Sequence, residues 1–126
     1  MRLLTTIRAL TGFGDAAGGT DHWWGQRITG VMLVLLGAWF VASLVLLPSV
    51  GHSDVVNFIS GMTNSILLSL LCLVATFHSY LGVQVVIEDY VHASGLHKLA
   101  IAISRLTHLV LAVAALYAIV VMGAGA

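Results

Sequence analysis

Three apolar segments of membrane-crossing length run through this chain, with almost no charge to interrupt them. The first extends from about Ile28 to Leu47, the second from about Ile59 to Ile87 and the third from about Leu99 to Met122. A helix needs roughly 20 apolar residues to cross about 30 Å of hydrocarbon. Each segment meets that length, and the second is long enough to tilt or protrude. None alternates as a barrel strand does. Only 8% of the 126 residues are charged and 60% are hydrophobic, whereas a soluble domain carries about 25% charged residues. A chain with so little charge cannot cover a surface that faces water. The fold class follows: an all-α membrane protein, one domain over residues 1–126, with transmembrane helices over 28–47, 62–87 and 99–122 in up-down-up order.

Basic residues set the expected orientation. Arg2, Arg8 and Arg27 precede the first span, Lys98 lies between the second and third, and Arg105 is just inside the third. The stretch PSVGHSDVVNF and the C-terminal tail carry no Lys or Arg. The positive-inside rule places the N-terminus and the second connection on the cytoplasmic or matrix side. Residues 1–25 lack the unbroken apolar core of a signal peptide and read as a retained cytoplasmic or interfacial segment, a short amphipathic helix followed by a flexible Gly/Ala region. Trp23 and Trp24 suit the aromatic belt. The zero net charge offers nothing to nucleic acid. The single cysteine, Cys72, has no intrachain disulfide partner and reads as a packed thiol. Connections of roughly ten residues suggest a three-helix bundle. Gly30, Gly37, Ala38, Ala42 and Ser43 on the first span, and Ala112, Ala114 and Ala115 on the third, would let helices approach. Three helices enclose little volume, so a cofactor site needs helices from a partner.

The stretch HSYLGVQVVIEDYVH, residues 78–92, places several ionisable groups in and beside a span, where they are costly and usually functional. His78 lies ten residues before Glu88, about 15 Å along a helix and close to the bilayer midplane. Gly82 and Asp89 follow it at i+4 and i+11, which returns them to within roughly 20° of its face at the i+11 position. Gly82 then leaves a gap in the side-chain wall where a flat ligand can approach. A neutral imidazole is a good haem-iron ligand, and a buried one can equally bond across helices. Tyr90 can donate to a quinone carbonyl, with Asp89 orienting the phenol or relaying protons; as a plain alternative, both mark the water boundary, as Glu88 does. On the third span His97, Ser104, Arg105 and His108 form a second stripe, interrupted by Ile101. His108 is a rival ligand. Arg105 either snorkels or neutralises an anion such as a haem propionate, and Arg27 has the same two readings. His92 is open: a continued helix would bring it towards the His78 face, and a loop would free it.

The pattern of a histidine, a glycine four residues on and Asp-Tyr at eleven and twelve residues, here His78, Gly82, Asp89 and Tyr90, resembles the signature of the hydrophobic membrane anchor subunits of succinate dehydrogenase, respiratory complex II. The segment GGTDHWWGQRITGVMLVLL also resembles the approach to their first helix. The Arg27-Ile28-Thr29-Gly30 portion is shared with the cytochrome b subunit, and the acid-tyrosine pair separates the two. The resemblance implies that His78 is an axial ligand of a haem b, its iron being the metal, with the second histidine from the cytochrome b subunit. It implies that Tyr90 bonds ubiquinone with Asp89 beside it. It implies docking of a flavoprotein and an iron–sulfur subunit, which hold FAD and the clusters, and electron flow from succinate to quinone. Arg27 and Arg105 remain candidate haem-propionate or quinone-site contacts, and Arg27, His92 and His108 are not settled by it. A bacterial cytoplasmic membrane is the implied location, a mitochondrial inner membrane the second choice. The chain carries no nucleotide motif or cysteine cluster, so succinate oxidation belongs to its partners. Two alternatives stand beside this reading: a membrane scaffold or proton-conducting subunit with a relay from Asp89 towards His78 and His108, and the anchor of a quinol:fumarate reductase.

Overall fold

The computed structural model describes residues 18–125, and among them every regular element is an α-helix. Helix α1 spans Gly18–Val45, α2 His52–Ser60, α3 Met62–Tyr90 and α4 Ser94–Ala124. Leu, Val, Ile and Ala dominate α1, α3 and α4, no proline interrupts them, and in lipid each backbone group must be satisfied within its own helix. All three are long and apolar enough to cross a membrane. At 28, 29 and 31 residues they run to about 42–47 Å. Each therefore overshoots the hydrocarbon and carries its end turns into the interface.

The ends show where the sequence reading needs correcting. Helix α1 is already formed at Gly18, so residues 18–25 are helical rather than a flexible Gly/Ala stretch. The stretch expected to form a short amphipathic helix, with Arg2 and Arg8, lies outside the described residues. At the other end Leu47 N–H bonds the Leu44 carbonyl in a tightened turn, and Pro48 has no N–H to continue it. The connection that follows is not all loop, because residues His52–Ser60 form α2. Its Phe58 ring stacks on Trp39 of α1 with centroids 6.0 Å apart. Asn64 donates to the Phe58 carbonyl at 3.0 Å, tying α2 to the first turn of α3 across Gly61. The connection after α3 is only residues 91–93. Polar residues such as Asp89 and Lys98 extend the helices because their end turns reach water.

Packing is a row in the order α1–α3–α4. Helix α3 pairs with α1 on one side and with α4 on the other, while the backbones of α1 and α4 do not approach each other. The up-down-up order holds, but the three do not close into a bundle. Ile59, Val74, Leu81 and Ile119 are the buried apolar side chains among the described residues, with Thr29 and Ser104 the buried polar ones. Burial this thin leaves long apolar faces outward, as lipid or further helices require.

Three glycines line the contact between α1 and α3. A Cβ on Gly25 would meet Leu81 Cδ1 at 3.3 Å, one on Gly30 would meet His78 Cε1 at 3.5 Å, and one on Gly82 would meet Gln26 Nε2 at 3.6 Å. Small residues at membrane helix contacts allow van der Waals packing where no hydrophobic force acts between helices. Gly30 plays the expected part. Gly37 has nothing within 4 Å, and Ala38 and Ala42 are exposed, so the lower half of the expected stripe faces outward. Gly25→Leu should push α1 from α3 and lower stability by about 1–3 kcal/mol. Thermal inactivation of the detergent-extracted protein reads this directly, and an unchanged midpoint would contradict the tight contact.

Candidate functional site

His78 sits at the centre of the α1–α3 seam. Its Nδ1 lies 2.8 Å from Thr29 Oγ1, and that hydroxyl lies 2.7 Å from the Gly25 carbonyl oxygen one turn back. The hydroxyl has one proton; donated to the Gly25 carbonyl, the shortest of its contacts, it leaves the oxygen to accept from His78 Nδ1–H. In that arrangement the imidazole is the Nδ1–H tautomer and its Nε2 lone pair is uncommitted. No hydrogen bond reaches Nε2 among the described residues. Thr29 is only 8% exposed, so this arrangement is shielded from competing water.

Two further polar side chains continue the same α1 face towards the N-terminal end. His22, Gln26 and Thr29 recur at i, i+4 and i+7, the spacing of one helical stripe. His22 Nε2 and Gln26 Oε1 are buried with no hydrogen-bond partner among the described residues. The gap expected over Gly82 is filled by Gln26, whose amide packs against it. A flat ligand therefore does not reach the Gly82 backbone from this side, because a neighbouring helix already uses the space.

The α3–α4 seam differs. His108 Nδ1–H donates to the Ser104 carbonyl at 2.8 Å, which leaves Nε2 to accept from the Ser79 hydroxyl at 3.2 Å. Both ring nitrogens are committed, so His108 has the character of a structural histidine. Tyr80 lies edge-on to it, with centroids 5.7 Å apart, and the Tyr80 oxygen accepts from Arg105 Nε–H at 2.9 Å. Beside this network is an outward-opening groove of 340 Å³ bordered by Phe77, Leu109 and Ala112. His78 faces α1 and His108 faces α3 from the opposite side, so the two histidines make no direct contact.

The residues at the C-terminal end of α3 are spread out. Tyr90 is 80% exposed at the last turn of α3, and Asp89 is exposed beside it. Glu88 accepts from Gln84 Nε2 at 2.8 Å, an i,i+4 pair on the exposed surface. Helix α3 stops at Tyr90 and the Val91 N–H bonds the Ile87 carbonyl, so His92 lies in the connection, free of the His78 face. His97 Nδ1–H donates to the Val91 carbonyl at 3.1 Å, which closes that turn. Arg27 lies on α1 with its guanidinium 4.6 Å from the Trp23 ring centroid, a cation–π contact within one helix. Arg27 and Arg105 thus stand on opposite sides of α3. No three His, Cys, Asp or Glu side chains come together as a metal-ligand set among the described residues.

Comparison with known proteins decides the family. The profile of the succinate dehydrogenase/fumarate reductase transmembrane subunit family matches residues 5–122. The chain belongs to that family. The succinate dehydrogenase hydrophobic membrane anchor subunit of Rickettsia bellii is 30% identical over 110 residues, 87% of this chain and 88% of that one. The anchor subunit of Paracoccus denitrificans is 28% identical over 126 residues, 100% of this chain and 97% of its own. That of Rickettsia typhi is 31% identical over 101 residues, covering 80% and 81%. No solved structure matches significantly. The family resemblance carried by residues 78–90 is thereby borne out. Thr29, Gln26 and His22 are the polar residues of the seam that the sequence reading did not select. Their spacing is visible only once α1 is known to begin before them.

The α3–α4 network should be separable from the α1–α3 seam. Tyr80→Phe removes the acceptor of Arg105 Nε–H and should cost about 0.5–1.5 kcal/mol, seen as a modestly lower thermal midpoint. Loss of assembly on this change would contradict a peripheral role for the network.

Proposed function

We propose that this chain is the membrane anchor subunit of a succinate:ubiquinone oxidoreductase in a bacterial cytoplasmic membrane, with its N-terminus on the cytoplasmic side. The observation that carries the reading is the state of His78. An iron-ligating histidine offers one neutral ring nitrogen and fixes the other by a hydrogen bond. His78 fits that demand, with Nδ1–H held by Thr29 and Nε2 uncommitted. We assign it as one axial ligand of a haem b, the second coming from a cytochrome b subunit. When bound, the haem supplies one-electron transfer at mid-membrane depth. His108, with both nitrogens bonded, is the weaker candidate.

Tyr90 and Asp89 act at the ubiquinone-reducing site in this proposal. An exposed phenol at the end of α3 donates its O–H to a quinone carbonyl, and the neighbouring carboxylate exchanges protons with water. Neither has a hydrogen-bond partner among the described residues, which leaves both free for a ligand or a docked subunit. Arg27 is the arginine on the His78 side of α3 and remains the candidate contact for a haem propionate or the quinone; Arg105 faces the other seam. The iron–sulfur and flavoprotein subunits, which hold the clusters and FAD, would dock on the end bearing Asp89, Tyr90, His92 and Lys98. Succinate oxidation is favoured over fumarate reduction by the relatives, which are succinate dehydrogenase anchors. A relay from Asp89 through His78 to His108 is disfavoured, because the two histidines face different helices.

Two measurements test the proposal. An assembled His78→Ala complex should lose its b-type absorption spectrum; full haem retention would refute the ligand assignment. Tyr90→Phe should lower quinone reduction by about 10²-fold or more while succinate oxidation with an artificial dye stays near wild type. Equal loss of both activities would remove Tyr90 from the quinone site.

A further inference from the structure

We infer that Thr29 is a positioning residue for the iron ligand and holds the reduction potential of the haem down, an inference that rests on the assignment of His78 above. The geometry is a three-part chain: His78 Nδ1–H donates to Thr29 Oγ1 at 2.8 Å, and the Thr29 O–H donates to the Gly25 carbonyl at 2.7 Å. A second carbonyl, that of Gln26, lies 3.2 Å from the same hydroxyl. With its proton committed to α1, the hydroxyl presents only lone pairs to the imidazole, so it cannot donate to Nδ1 and turn the ring into the wrong tautomer. Hydrogen bonds in series polarise one another, and each added electron density on Nδ1 makes Nε2 a stronger donor. A more basic axial ligand stabilises the ferric state over the ferrous state, which lowers the potential.

The rest of the seam supports a specific role for the hydroxyl. Thr29 is among the few buried polar residues, at 8% exposed, so no water replaces it. Gly30 lies beside it and a Cβ there would stand 3.5 Å from His78 Cε1, an ordinary contact. The ring thus lies against the open backbone at Gly30 and is held by the hydroxyl of Thr29. Valine has the shape of threonine without the donor or acceptor, which separates the clasp from the packing.

The test uses the complete, detergent-extracted complex carrying Thr29→Val, Thr29→Ser or Gly30→Ala. The readouts are redox titration of the b-type absorption and the low-spin ferric EPR spectrum, neither of which depends on turnover. Thr29→Val should keep the haem, shift its midpoint potential upward and change the EPR g-values. Thr29→Ser should restore both to wild type, and Gly30→Ala should leave both unchanged. A haem-bearing Thr29→Val complex with wild-type potential and EPR overturns the inference while leaving the ligand assignment intact. If Thr29→Val does not assemble, Thr29→Ala is read in the same way. Failure of both, with Thr29→Ser normal, overturns positioning in favour of a purely structural role. A wild-type complex lacking b-type haem overturns the ligand assignment itself.

Discussion

The contact on which the structure depends is the glycine-lined approach of α1 to α3. Gly25 and Gly30 let the backbone of α1 come close enough that Leu81 and His78 lie against it. In a bilayer, lipid tails compete on equal terms with apolar side chains, so helices associate through fit and polar bonds. Both are present here. The glycines provide the fit, and Thr29 with His78 provides the polar bond. Wider spacing would leave a part-buried imidazole nitrogen without its Thr29 partner, at a cost of about 1 kcal/mol.

The two seams of α3 serve different ends because their hydrogen bonds are differently closed. Against α4, every nitrogen of His108 is paired and Arg105 leans on Tyr80. That seam is saturated and needs nothing further to hold. Against α1, His78 Nε2, His22 Nε2 and Gln26 Oε1 have no hydrogen-bond partner among the described residues. Buried polar atoms are normally satisfied, so the polar groups of this seam are less fully paired than His108 is against α3.

The row architecture says the same on a larger scale. Because α1 and α4 do not meet, α3 is flanked rather than enclosed, and its remaining faces stay open. Large exposed side chains such as Val34, Leu35, Phe77 and Leu109 line the outside. Contiguous apolar surface is what a lipid boundary or a partner helix requires. In the proposed assignment His78 would be one axial ligand, and the second would come from another chain.

How far the residues alone reach can be seen one element at a time. The three spans were legible because bilayer thickness imposes a length and lipid excludes charge. Family membership was legible because His78, Gly82, Asp89 and Tyr90 match the residues and spacing of the signature they resemble. Helix α2 was not, since nine residues with mixed polarity carry no such constraint and are held by Trp39 and by the Gly61 junction. The lower stripe of small residues misled for a related reason: composition says which residues permit approach, and only the register says which are used. Gly82 shows the limit most clearly. Its spacing placed it one turn from His78, but Gln26 of another helix occupies the space it leaves. The hydrogen-bond partners of His78 and His108 were likewise decided by the tertiary structure. Two histidines in equivalent apolar surroundings differ only in what the opposite helix presents to them, and a one-dimensional pattern carries no record of that.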